Sequence, residues 1–381
     1  MDFAWSEEQQ ALRRSLIQFA QQELTSDVIG EDHREEFSWN GWRQCAKFGI
    51  QGMPVPEEFG GGGADILTMV CALEALGYGC RNSGLIFSLN AHMWGAEIPL
   101  ASFGTDAQKQ ALLPRLAAGE LMGAFAGTEF ASGSEASAPR IRAEHKGGRW
   151  VLNGSQAFVS NAPLADVIVV LAATGASGDP AGATVFVLEK AAPGFSAGPA
   201  LQRMGLRTSP MGEVTLNDCE VPERSVLGEV GAGSAVLAAA QDWERICVLA
   251  SHLGMMQRQL EISARYAGER RQFGQRIGKF PAIAAKIAEM DIRLETSRLV
   301  LYQAAWLKKQ GKHPERETAI AKAYVAEAAI ETARDALQIH GGYGYMTEYQ
   351  IERELRDAIA GRIYSGSADA EKRIIAGAHG L

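Results

Sequence analysis

Apolar residues in the first third of the chain recur every three to four positions, as in Leu12, Leu16, Phe19, Ala20 and Leu24, the spacing of one helix face. Ser6 ahead of Glu7, Glu8 and Gln9 supplies an N-cap with negative charge in the first turn. Gly60 to Gly63 interrupts this region as a loop, and Gly84 to Gly95 is a further apolar helical stretch, so residues 1–118 read as a helical domain. From Leu121 the pattern changes to short β-branched runs, Trp150-Val151-Leu152, Val167 to Leu171 and Thr184 to Leu188. Gly147-Gly148 and Asn153-Gly154 mark hairpin turns, and residues 119–227 predict an antiparallel sheet domain. Helical periodicity returns after Gly233, over about 234–267, 280–310, 315–340 and 350–376, which predicts a four-helix bundle within 228–381. The expected class is α+β, in the order helices, sheet, helices.

A chain of 381 residues exceeds one hydrophobic core, in keeping with that division. Apolar residues at 46% and charged residues at 22% are the usage of folded proteins. A net charge of -8 argues against nucleic acid, whose phosphates need a basic face. Five cysteines without CxxC spacing or a Cys/His cluster predict neither a disulfide framework nor a metal site, and suit a reducing cytoplasm. Met1 to Glu8 carries no basic segment leading into an apolar one, and no uncharged run approaches the roughly 18 residues a membrane span needs. Neither an export signal nor a span is expected.

Gly228-Glu229-Val230-Gly231-Ala232-Gly233 lacks GxGxxG spacing and reads as a helix-entry turn rather than a dinucleotide site. P-loop, HExxH and GxSxG motifs are missing, which removes the commonest hydrolase and triphosphatase readings. The hydroxyls and turn amides of Thr128 to Ser134 could hydrogen-bond a heteroaromatic ring or a pyrophosphate, or form a solvated loop. Arg265, Arg270, Arg271, Arg276 and Lys279, against Glu269 alone, either cap a helix end or offer guanidinium forks to a pyrophosphate.

Three segments in order resemble the C-terminal half of the acyl-CoA dehydrogenases: Glu269-Arg270-Arg271-Gln272-Phe273-Gly274, Gln338-Ile339-His340-Gly341-Gly342-Tyr343-Gly344 and Ile363-Tyr364-Ser365-Gly366-Ser367. Thr128-Glu129-Phe130-Ala131-Ser132-Gly133-Ser134 is similar to that family's Thr-Glu-Pro-x-x-Gly-Ser stretch, with Phe130 at the Pro, and Asn153 to Asn161 is similar to its flavin-contacting hairpin and strand. The resemblance runs along nearly the whole chain. It implies FAD, with Phe125, Thr128, Ser134, Phe158 and Ser160 near the flavin. Arg270, Gln272 and Phe273 would reach across a subunit interface to a neighbour's cofactor, Gln338, Gly341 and Gly342 would lie along the adenosine side, and Ser367 and Asp369 would add contacts after the third segment. A homotetramer, or at least a homodimer, is implied.

Many members of the family carry a catalytic Glu where this chain has Ser365. Others place it on the first long helix of the C-terminal domain, directly before an Arg, and Asp242-Trp243-Glu244-Arg245 puts Glu244 there. The resemblance thus implies that Glu244 removes the α-proton of a thioester while a β-hydride goes to the flavin. Arg245 is expected to support the helix or a neighbouring acid. Trp243 to Arg245, Leu253 to Glu261, Asn161 to Asp166 and Tyr364 to Ser367 resemble the subgroup acting on carrier-protein thioesters in secondary metabolism, prolyl-carrier-protein dehydrogenases among them. The implied substrate is an acyl or prolyl-like aminoacyl carrier-protein thioester, with a small acyl-coenzyme A as the alternative. Arg258, Arg265, Arg271 and Lys279 would offer an acidic carrier a cationic face. Electron-transfer flavoprotein or oxygen would take the electrons, and a non-catalytic flavoprotein scaffold is the reading from another class.

Overall fold

The computed structural model describes residues 5–127, 139, 141–175 and 182–381. Helices come first: α1 (Glu7–Glu23), α2 (Val28–Arg34), α3 (Trp39–Phe48), α4 (Ile66–Gly79), α5 (Ser83–His92), α6 (Ile98–Phe103) and α7 (Asp106–Ala117). Ser6 opens α1 with a reciprocal capping box, its hydroxyl accepting from Gln9 N at 3.2 Å while Gln9 accepts from Ser6 N at 3.1 Å. A single π turn, Met93–Glu97, joins α5 to α6, so the apolar stretch beginning near Gly84 continues to Phe103.

The strands are β1 (Gly123–Ala126), β2 (Arg142–Lys146), β3 (Arg149–Ser160), β4 (Val167–Ala173), β5 (Ala183–Glu189), β6 (Phe195–Ala197), β7 (Met211–Pro222) and β8 (Val226–Leu227). They form one sheet in the order β6-β7-β3-β2-β4-β5-β8, with β1 beside β4. Most neighbours are antiparallel. β1 pairs with β4 in parallel, as does β2 at Arg142 and Ala173, adding two parallel contacts to the expected arrangement. The continuous apolar run of β4 follows from cover on both faces. Ile168, Val170 and Ala172 enter the sheet's own core, while Val167, Val169 and Leu171 pack with Leu113 and Leu116 of α7.

Gly147 and Gly148, at φ 58° and 77°, form the turn between β2 and β3. Asn153-Gly154 does not turn the chain. It lies inside β3, where the register against β7 shifts and Gly154 takes φ 134°. The Asn153 side chain is engaged by Asp218 of β7, donating to its carboxylate at 3.1 Å and accepting from its N–H at 2.7 Å, so the pair stabilises a bulge.

The C-terminal part contains α8 (Gly233–Glu269), the small hairpin of β9 (Arg271–Gln272) and β10 (Gln275–Arg276), then α9 (Pro281–Lys309), α10 (Glu315–His340), α11 (Gly342–Tyr345), α12 (Ile351–Ile359) and α13 (Ala368–Gly377). The helix expected over 350–376 is broken between α12 and α13. Ser365 at φ 53° and Gly366 at φ 98° lie in the left-handed region, which a right-handed helix cannot pass through. No helix among the described residues is long and apolar enough to cross a membrane.

Helix α8 is the axis of the molecule, sharing one core with α4, α9 and α10 through Leu73, Leu249, Leu253, Leu301 and Val325. Its contact with α4 is backbone to backbone: a Cβ on Gly77 would collide with Ser251 O, and one on Gly254 with Glu74 O and Tyr78 N. Arg258 sits in this seam, donating to Glu354 of α12 at 2.8 Å and to the carbonyls of Tyr78 and Cys80. It is buried and leaves the expected cationic face, because its guanidinium is consumed in joining α8 to α4 and α12. Gly254→Ala should lower the unfolding free energy by about 1–3 kcal/mol, the usual cost of overpacking. An unchanged urea midpoint would contradict the close contact.

Candidate active site

Leu237, Gln241, Glu244 and Val248 follow each other at helical spacing on one face of α8 and line a cavity of about 60 Å³. Phe87, Asn90 and Ala91 of α5, Trp94 and Gly95 of the π turn, Phe125 of β1, and Phe158 and Ser160 of β3 complete the wall. Asn90 accepts from Trp94 Nε1 at 2.7 Å, and Trp94 stacks on Trp243 with ring centroids 5.4 Å apart. Gly95 leaves room for Phe125, whose Cβ would be 3.0 Å from a Cβ there.

A second register shift in β3, between Gln156 and Val159, puts Phe158 at φ 59° and leaves its ring 67% exposed. Asn161 anchors the strand's end, donating to Ser88 O at 2.9 Å and Gly123 O at 3.2 Å. The bulge therefore aims Phe158 and Ser160 at the α8 face.

Burial raises the pKa of Glu244 above its ordinary value, against a hydrogen bond from Ser365 and the charges of Lys322 and Arg245, which lower it. Ser365 Oγ donates to Glu244 Oε1 at 2.6 Å. Arg245 pairs with the buried Glu371 of α13. Lys322 of α10 is buried behind them, donating to Gly361 O with its Nζ 5.0 Å from the centre of the Tyr364 ring. Burial lowers Lys322 to about 8. Tyr364 Oη lies 3.3 Å from His252 Nε2, and burial lowers His252 to about 4, so that imidazole is neutral near pH 7.

A second hollow, of about 610 Å³, is lined by Arg270, Gln272, Phe273, Gly341, Gly342 and Tyr343. Arg270 Cζ is 5.8 Å from the centre of the Tyr343 ring. Phe273 stands at the tip of the β9–β10 turn, at φ 50° and 93% exposed. Gly341, at φ 58° and ψ -133°, adopts a backbone that a side chain would strain.

The expected site residues thus fall into two groups. Phe125, Phe158, Ser160 and Glu244 meet at the first cavity, and Arg270, Gln272, Phe273, Gly341 and Gly342 at the second. Gln338 is exposed on the last turn of α10 and lines neither. Ser367 caps α13, accepting from Ala370 N at 3.3 Å, and Asp369 pairs with Lys372 at 3.5 Å; neither lines either of these two hollows. Thr128 and Ser134 lie outside the described residues. Asn90, Trp94, Gln241, Lys322 and Glu371 join the site without having been singled out in the sequence. Gln241 could have been found from its i−3 relation to Glu244, and Lys322 from its place among alanines.

These groups fit a flavin dinucleotide. Phe158 offers an uncovered aromatic face beside the Ser160 hydroxyl, while Arg270 offers a fork for a pyrophosphate next to two glycines that permit close approach.

Comparison with known proteins agrees. The family models for the acyl-CoA dehydrogenase N-terminal, middle and C-terminal domains match residues 6–120, 124–219 and 231–379. An L-prolyl-[peptidyl-carrier protein] dehydrogenase of Pseudomonas fluorescens is 37% identical over 377 residues, 99% of either chain. The crystal structure of the prolyl acyl carrier protein oxidase AnaB superposes with a TM-score of 0.96 at 42% identity, covering 99% of this chain and 100% of AnaB. PigA, solved with FAD and proline, gives 0.95 at 34% identity over 100% of both chains. With every domain matched in order along full-length relatives, the chain belongs to the acyl-CoA dehydrogenase family of FAD-dependent oxidoreductases.

Proposed function

We propose that the protein dehydrogenates the acyl group of a carrier-protein thioester, a compact, prolyl-like aminoacyl group, with Glu244 as the base that takes the α-proton. The observation that carries this reading is the carboxylate of Glu244 on the cavity wall, where it is the one ionisable side chain among the described residues. The alternative base position, Ser365, holds a hydroxyl that donates to that carboxylate. The similar proteins include enzymes named for prolyl carrier thioesters, which supports a compact acyl group.

Phe125, Phe158 and Ser160 would hold the flavin ring, and Thr128 and Ser134 would also contact the cofactor. Arg270, Gln272, Phe273, Gln338, Gly341 and Gly342 would hold the nucleotide half belonging to a neighbouring subunit, and Ser367 and Asp369 would add further contacts. Bound FAD supplies the acceptor for the β-hydride. The apolar walls exclude water from the α-carbon, and a carboxyl with its pKa raised by burial is a stronger base than a solvated one. Arg245 takes no step; it is occupied by Glu371.

The reading includes a homotetramer, or at least a homodimer, and the exposed ring of Phe273 at its hairpin tip supports it. The five cysteines are unpaired and buried, in keeping with a cytoplasmic setting. Electron-transfer flavoprotein is the expected acceptor. The likeness to AnaB, named an oxidase, favours oxygen as the second reading, and peroxide release against reduction of electron-transfer flavoprotein separates the two. Bleaching of the flavin by any thioester in a single turnover excludes a scaffold role.

The purified protein should be yellow, with one FAD per subunit, and Arg270→Ala should release the cofactor; a colourless wild-type monomer would contradict the assignment. Arg265, Arg271 and Lys279 remain exposed for an acidic carrier protein, so carrier thioesters should be turned over faster than matched coenzyme A esters, by a margin that shrinks with salt. Equal turnover would remove that preference. Glu244→Gln should keep fold and FAD but slow flavin reduction by about 10² to 10⁴, the usual contribution of a general base. Because the base works deprotonated and burial raises its pKa, the wild-type rate should climb with pH through a midpoint above the ordinary glutamate value of 4.5. A flat profile, or near-normal reduction by Glu244→Gln, would refute the role.

A further inference from the structure

Two consecutive residues of α8 grip one short strap of chain. Glu244 accepts from Ser365, and Arg245 pairs with Glu371 on the first turns of α13. Between these anchors the chain must reverse. Ser365 does so at φ 53°, uncommon for a residue with a side chain, and Gly366 at φ 98°. Only glycine serves at 366, because a Cβ there would collide with the Glu371 carboxylate that Arg245 holds. Behind the strap, Tyr364 packs on Phe87 with centroids 4.8 Å apart and lies under the Lys322 ammonium, which itself holds Gly361 O. The hydroxyl of Ser365 is thus fixed from both sides. Its hydrogen bond takes Oε1 of Glu244, while Oε2 has no hydrogen-bond partner among the described residues.

We propose that Ser365 is a positioning residue for the proton transfer, its hydroxyl tying down Oε1 of Glu244 and leaving Oε2 as the atom that takes the substrate proton. The inference rests on the reading of Glu244 as the base. A donor to a carboxylate favours its charged form, so Ser365 works against the burial that would otherwise protonate the base. The other charged or titratable groups facing Glu244 are Arg245 on its own helix, Lys322 from α10 and Tyr364 from the strap, with Glu371 and His252 behind them. The walls contributed by α5, the π turn and β3 present Asn90, Trp94, Phe158 and Ser160, none of them charged.

The test uses the holoenzyme and two variants. Ser365→Ala removes the hydroxyl, and Ser365→Gly removes it while easing the left-handed backbone, so one remains usable if the other folds poorly. Infrared difference titration follows the protonated carboxyl band that Glu244→Gln abolishes, without substrate. Flavin reduction by an L-prolyl thioester of a peptidyl carrier protein is followed in parallel across pH. Both variants should raise the titration midpoint by about one pH unit, the order expected for a lost hydrogen bond to a charged group. Below that midpoint reduction should slow about tenfold and recover at high pH, a smaller loss than for Glu244→Gln. An unmoved midpoint in both variants overturns the inference even if the rate falls, because a merely structural role would lower the rate at every pH. Should Glu244→Gln reduce its flavin normally, the base assignment fails instead, and the infrared shift still decides whether Ser365 sets the state of Glu244.

Discussion

A carboxylate held at the wall of a largely apolar cavity is the constraint on which the rest of the architecture depends. Burying a charge is costly unless it is paired or hydrogen-bonded. Glu244 is met by Ser365, with Lys322 and Arg245 close enough to favour its ionised form, while Arg245 is itself neutralised by Glu371. Apart from Arg245, which shares α8 with Glu244, each of these groups comes from a different element: the strap, α10 and α13. The C-terminal helices must therefore pack in one register for the site to exist.

That explains the length and position of α8. Its first residue lies against the sheet, where a Cβ on Gly233 would be 2.7 Å from Ala183 O, and its last turn leads directly into the Arg270 hairpin. Between these ends the glycine contact with α4 and the buried Arg258 clamp to Glu354 fix its rotation. The sheet answers with two bulges. The one at Asn153-Gly154 bends β3, and the one before Val159 turns Phe158 outward over the cavity. The π turn presents Trp94 and Gly95 on the remaining side. Phe158, Ser365 and the π turn thus bring irregular backbone to the cavity, and regular structure carries them.

Much of this plan is legible in the sequence. α8, α9 and α10 follow from unbroken helical periodicity, and β4 and β5 from β-branched runs. What escapes is backbone that breaks local rules. Tyr364-Ser365-Gly366-Ser367 lies inside the stretch that reads as one helix over 350–376, and nothing in its composition signals that Ser365 adopts a left-handed conformation. Asn153-Gly154 has the look of a turn, yet pairing with Asp218 makes it a bulge. Arg258 reads as one more cation beside Arg265 until the α4 carbonyls appear around it. Glu244 is one of 45 acidic residues, and only the resemblance of Trp243-Glu244-Arg245 singled it out. The structure then supplied what pattern cannot, a hydroxyl at 2.6 Å and a cavity in front of the carboxylate.

The central claim is that Glu244 moves the α-proton, and solvent exchange tests it most directly. A carrier-protein thioester lacking a removable β-hydrogen can lose its α-proton without being oxidised. In deuterium oxide the wild type should wash that proton out of the substrate, as read by mass spectrometry, and Glu244→Gln with full FAD content should not. Exchange at the wild-type rate in that variant would contradict the account.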